Sequence, residues 1–90
     1  MGAYAAYLCD TLTLNGYHDW YLPSRNELNM LYINRYAIGN FITYGGLNAL
    51  GYWSSTESDS FSAWDQFFSD GAQYGVMKNK AGYVRAIRSF

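Results

Sequence analysis

The stretch from Tyr52 to Phe90 constrains the fold more than any other part of the chain. Its apolar residues come in short runs at Tyr52 to Ser54, Ala63 to Phe68 and Tyr83 to Arg88, with a weaker fourth at Gln73 to Met77. Runs of this length, bounded by small and polar residues, read as strands. Ser69-Asp70-Gly71 falls between two of them, and Asp-Gly accepts the positive φ of a tight hairpin. The segment therefore predicts a small antiparallel sheet.

Helical signals lie ahead of it. Residues 3 to 12 read as a short helix, with Leu8 and Leu12 at i, i+4, ended by the Asn15-Gly16 turn. His18 to Leu22 alternates in the manner of a short strand. Ser24, just after Pro23, is followed three residues later by Glu27, the spacing of a capping box. Leu28, Leu31, Tyr32 and Arg35 continue at helical spacing, so Leu28-Leu31-Tyr32 is the expected buried stripe. From Ala37 to Gly51 glycines break the pattern, and Phe41, Ile42 and Leu47 are the expected tethers to the core. Helices first and a small sheet after them give an α+β class, and residues 1–90 form a single domain.

A domain of 90 residues buries a modest share of its surface and needs a good core or a partner. Ten tyrosines within a 20% aromatic content supply area, but they exceed what a small core can hide. Some must face outward, where tyrosine makes good contacts at low entropic cost, and self-association would cover part of that surface. A net charge of −1 and pI near 5.6 speak against a nucleic-acid footprint. Cys9, the single cysteine, excludes an internal disulfide and reads as a buried thiol. No run approaches the roughly 20 apolar residues of a membrane span, and Met1 to Tyr7 lacks the pattern of a signal peptide.

Catalytic chemistry finds little footing. His18 stands alone beside Asp19, with no serine, threonine or cysteine placed to be its nucleophile. Glu57, Asp59 and Asp65 could gather around a hard cation, but their spacing matches no calcium loop. Transition-metal ligand sets and phosphate loops are missing from the sequence, so neither an enzyme nor a cofactor is expected. Arg85 and Arg88 should point to opposite faces of a strand, at least one of them pairing with a carboxylate such as Asp19 or Glu57. Trp20, Trp53 and Trp64 read as core. If Trp64, Gln66 and Phe68 form the buried face of their strand, Phe67 projects outward beside Asp65. Phe61, among serines and Asp59, fits no core periodicity. Tyr74 and Tyr83 complete an expected exposed aromatic set, a paratope-like composition.

Several landmarks now stand in order: Asn15-Gly16-Tyr17-His18-Asp19-Trp20-Tyr21-Leu22-Pro23-Ser24, Glu27-Leu28-Asn29-Met30-Leu31-Tyr32, Tyr52-Trp53-Ser54-Ser55-Thr56-Glu57, Ala63-Trp64, Phe68, Gly71, Lys78 and Val84-Arg85-Ala86-Ile87-Arg88. Over nearly the whole chain they resemble the Legionella collagen-like protein C-terminal domain family. The resemblance implies a C-type-lectin-like fold, two helices packed on small twisted antiparallel sheets with long loops. A subset of that family looks closer still, the variable proteins of diversity-generating retroelements, whose C-terminal coding segment is rewritten at adenines. By that likeness the variable-looking segment is 52–90, and the binding positions would be Ser58, Asp59, Phe61, Ser62, Asp65, Phe67, Ser69, Ala72, Tyr74, Val76, Ala81 and Tyr83. The carboxylate and amide ligands of calcium-dependent lectin sites are not found beside Pro23, and six Lys and Arg make a poor match to sulfated polysaccharides.

The expectation is a non-enzymatic recognition domain at a cell or phage surface, its partner a surface protein. The alternative is a carbohydrate-binding adhesin that stacks sugars on its exposed aromatics. Trp20, Leu28, Leu31, Trp53, Trp64, Phe68, Val84 and Ile87 would form the core that holds the loops rigid.

Overall fold

The structure, a computed structural model, describes residues 8–9, 11–13, 16–17, 19–43 and 50–88. Most of the helix expected over residues 3–12, the turn residue Asn15, His18 and Leu47 lie outside the described residues. Leu8, Cys9 and Thr11 do have helical backbone. The described elements run α1 (Arg25–Ile33), α2 (Arg35–Ile38), β1 (Tyr52–Asp59), β2 (Ser62–Gln66) and β3 (Gln73–Met77). This is an α+β domain, its strands forming one antiparallel sheet in the order β1-β2-β3.

The start of α1 follows from its sequence. Glu27 N–H donates to Ser24 Oγ at 3.2 Å, and Ser24 N–H donates to Glu27 Oε1 at 3.0 Å, closing the capping box. Tyr21 Oη donates to the second carboxylate oxygen at 2.9 Å. The Ser24 backbone bond, foremost, and then the Tyr21 hydroxyl hold Glu27 below the usual carboxylate range, against the effect of burial. Leu28 is buried, with Leu31 and Tyr32 packed partly behind it. Asn34 ends the helix, and the short α2 follows.

The sheet is covered on both faces. Trp53 pairs with Asp65 and Ala63 with Val76, so these four share one face. Cys9, Leu22, Trp53 and Ala63 form the core there, joined by Val76, Val84 and Ala86. Tyr52, Phe68 and Leu28 form the core on the other face, the side of α1, with Phe41 and Tyr83 against them. Cys9 is buried, as its apolar setting suggested.

Several expectations need correcting. Tyr83 to Arg88 is not a strand: among the described residues its backbone pairs at two isolated bridges, Tyr52 with Tyr83 and Tyr21 with Ile87. His18 to Leu22 likewise contributes only the bridge at Tyr21 among its described residues. The weaker candidate, Gln73 to Met77, is a full strand. Tyr52 to Ser54 extends to Asp59, and β2 stops at Gln66 because Phe67 to Ala72 makes the turn. Register shifts within β1 let it carry more residues than β2 opposite, and such bulges bend a strand. Of the expected core, Leu28, Trp53 and Phe68 are buried, whereas Trp20, Leu31, Trp64, Val84 and Ile87 are half-buried.

The Asp70-Gly71 turn behaves as its sequence requires. Gly71 has φ +81, and a Cβ there would meet the Tyr32 ring at 2.6 Å. Its N–H donates to Phe67 O at 2.8 Å, while Ala72 N–H donates to Asp70 Oδ1 at 3.0 Å. Only glycine satisfies both the left-handed backbone and the close ring.

Candidate binding surface

Two hairpins carry most of the residues singled out from the sequence. At the first, Asp59 Oδ1 accepts from Phe61 N–H at 2.8 Å, the geometry of an Asx turn. Lys78 N–H donates to Phe61 O at 2.9 Å and ties the tip to the end of β3. Lys78 Nζ pairs with Glu57 at 3.1 Å. With its backbone held on both sides, Phe61 is left 75% exposed. Together with Ser60, Met77, Lys78 and Asn79 it lines a shallow depression of about 260 Å³.

At the second hairpin, Phe67 and Tyr74 meet edge to face at 5.6 Å and 76°. Tyr74 is 52% exposed. Phe67 is half-buried, so it does not project outward as expected. The contrast expected between the two sides of β2 is missing: Gln66 and Phe68 are buried as expected, but Asp65 and Ala63 are buried too, and Trp64 is half-buried beneath Arg25, whose guanidinium lies 3.7 Å from the ring centre. Tyr83 is half-buried against Tyr52, with ring centres 5.3 Å apart, on the face opposite Phe67 and Tyr74. The four aromatics expected to share one exposed side therefore separate into an exposed pair, Phe61 and Tyr74, and a half-buried pair.

Across the twelve candidate positions, Ser58, Asp59, Phe61, Ser69, Tyr74 and Ala81 are exposed. Ser62, Phe67, Ala72, Val76 and Tyr83 are half-buried, and Asp65 is buried. Framework residues Tyr52, Trp53, Ala63 and Phe68 are buried between them.

Asp65 departs furthest from its expected role. Burial pushes its carboxyl up to about 6, against the nearby N–H groups of Tyr74 and of Asp65 itself. Its Oδ1 has no hydrogen-bond partner, and neither has the buried Nε1 of Trp53, the residue opposite it in register. Gly51 and Gly82 press against these groups: a Cβ would lie 2.5 Å from Asp65 Oδ2 at Gly51 and 2.5 Å from Trp53 Nε1 at Gly82. Glu57, Asp59 and Asp65 do not converge, and among the described residues no cluster of His, Cys, Asp and Glu could hold a metal ion.

A buried amide network escaped the sequence reading. Gln66, 0% exposed, donates from Nε2 to Asn29 Oδ1 at 2.9 Å and to Gly71 O at 3.0 Å. Gln73 Nε2 donates to Gln66 Oε1 and to Arg25 O, both at 3.3 Å, and Arg25 Nε donates to Gln73 Oε1 at 2.8 Å. These bonds fasten α1 to the second hairpin. Strand alternation put Gln66 on the buried face with Phe68, but nothing in the sequence named Asn29 and Gln73 as its partners.

Away from the hairpins lies an apolar groove of about 490 Å³, walled by Trp20, Tyr17, Leu31 and Ile38 and edged by Arg85 and Arg88. Arg88 makes the pairing foreseen for one of the two arginines: its Nε and Nη2 donate to Asp19 at 2.7 and 3.1 Å. That bond to Asp19 raises the Arg88 pKa. Arg85 instead lies over Phe41, 4.5 Å from the ring centre.

A small α+β domain, with a doubly covered antiparallel sheet and hairpins that carry exposed aromatics, is the class these features define. The chain belongs to the Lcl C-terminal domain family, whose model matches residues 3–88. No curated protein matches it. No helix among the described residues is long and apolar enough to cross a membrane.

Proposed function

We propose that this chain is a non-enzymatic recognition domain whose two hairpins form a diversifiable binding face, as in the variable protein of a diversity-generating retroelement displayed at a cell or phage surface. The observation that carries the reading is Phe61, held three-quarters exposed by backbone bonds to Asp59 and Lys78. An aromatic ring left in water forgoes roughly 1.5–3 kcal/mol of burial, and a fixed ring binds with little loss of entropy. Interleaving supports the same reading, because exposed Ser58, Asp59, Phe61 and Ser69 alternate along the chain with buried Trp53, Ala63 and Phe68. Changes at the first set leave the second untouched. The partner is a surface protein that covers Phe61.

Sequencing the flanking DNA tests the diversification part. A near-repeat of the segment coding for Tyr52 to Phe90, differing at adenines, beside a reverse-transcriptase gene is the expected finding. The lack of both would defeat it. A glycan array tests the partner class: selective binding abolished by Phe61→Ala would replace the protein-receptor reading with the carbohydrate-binding adhesin.

A further inference from the structure

The two outer edges of the sheet are treated differently. Along β1, Trp53 N–H donates to Tyr83 O at 2.9 Å and Ser55 N–H to Pro23 O at 2.8 Å, so neighbouring segments occupy that edge. Its register shifts bend it as well. The β3 edge has neither protection. Its register with β2 is unbroken from Gln73 to Met77. Phe67 N–H donates to Ala72 O and Lys78 N–H to Phe61 O. By the alternation of an antiparallel ladder, Tyr74 and Val76 then turn their amide groups toward β2, while Gln73, Gly75 and Met77 turn theirs outward. Lys80 N–H takes the Met77 carbonyl at 3.0 Å. The remaining outward amide groups meet no described residue. The strand contains neither proline nor a charge, and Tyr74, Gly75 and Met77 are exposed. Such an edge is a template for another strand.

We propose that two copies of this chain join through their β3 edges in an antiparallel pairing centred on Gly75, which makes one continuous sheet across a two-fold axis. This register engages as many of the outward groups as one centred on Tyr74, and side-chain pairing decides between the two. The two Gly75 residues exchange both bonds, and each Met77 N–H meets the Gln73 carbonyl of the other chain. It sets Tyr74 directly opposite Val76 of the other copy in a non-hydrogen-bonded pair, the closest side-chain approach in a ladder. Aromatic and β-branched partners are a favourable cross-strand combination. Charge agrees with the same register, since it directs the acidic turn at Asp70 of each chain toward Lys80 of the other. Glycine at the centre adds no side chain of its own to the axis, and the Ser58 side chain lies over it. A two-fold contact of this kind is self-complementary by construction, which is why a second copy, rather than a foreign peptide, is the occupant. The proposal does not depend on the recognition reading: Phe61 lies outside the paired strands, and the dimer would carry two such tips.

Sedimentation of the whole chain over a concentration series is the first measurement. A concentration-dependent dimer is expected for the native sequence, and a monomer for the double variant Tyr74→Lys, Met77→Lys. Both substitutions fall at exposed positions, and unchanged circular dichroism would show that the fold survives. Register is read by cysteine pairing. A mixture of Tyr74→Cys and Val76→Cys chains should form an interchain disulfide at least tenfold faster than either chain alone. A native chain that stays monomeric near 1 mM, a lysine variant that dimerises equally well, or equal cross-linking in all three samples would overturn the proposal. So would a monomer that takes up an unrelated extended peptide at this edge.

Discussion

On the α1 side of the sheet, the buried amide of Gln66 finds partners in Asn29, Gly71 and Gln73, whereas across the sheet Asp65 Oδ1 and Trp53 Nε1 are buried with none. The same strand supplies both situations, one residue apart. A fully bonded polar network in a low-dielectric interior fixes one arrangement of the elements around it, and a half-bonded one is a standing penalty. The helix side is therefore where the fold is specified. The opposite side is where its stability can be changed by a proton.

The largest effect should come from Gln66→Ala, which takes a partner from Gly71 O and from the Gln73 amide and opens a cavity. A loss of about 3 kcal/mol is expected by urea denaturation, independent of pH between 5 and 8. A loss below about 1 kcal/mol would mean that the network does not distinguish the two faces. Asp65→Asn should act oppositely and depend on pH. The folded carboxyl titrates at about 6, above its ordinary value of 3.8. The contribution of Asp65 to stability is then greatest below about pH 4, falls as pH rises to about 6, and stays level above that. The asparagine variant lacks this loss, so above pH 6 it should gain on the order of 2 kcal/mol over the native chain. That gain should vanish in acid, and equal pH profiles for the two proteins would refute the assignment. Ser24→Ala removes one arm of the capping box and should cost about 1 kcal/mol in the same assay. Phe61→Ala, on neither face, should change stability by less than about 0.5 kcal/mol. A larger change would make its ring a structural one.

Local signals were legible in the sequence wherever a short motif settles its own geometry. Ser24 with Glu27 gave the start of α1, and Asp70-Gly71 gave the second hairpin. The parity of β2 was not legible. Alternation separates a wet face from a dry one, and a sheet covered on both faces has no such contrast, so Ala63, Asp65 and Gln66 are buried where the large rings Trp64 and Phe67 are only half so. Tyr83 to Arg88 has the composition of a strand, but among the described residues its backbone forms isolated bridges and no ladder. Phe61 was found because it broke every periodicity. The depression beside it was not, because Met77 and Asn79 reach it through pairing with a distant segment.

The clasp between Tyr21 and Ile87 has a mechanical consequence. Each residue donates its N–H to the other's carbonyl, at 2.7 and 2.8 Å, and Arg88 closes on Asp19 just outside. Because the pair is antiparallel, tension applied through residue 19 and residue 88 peels these bonds one after another instead of shearing them together. Force applied at those two residues is therefore borne by this clasp before it reaches the sheet.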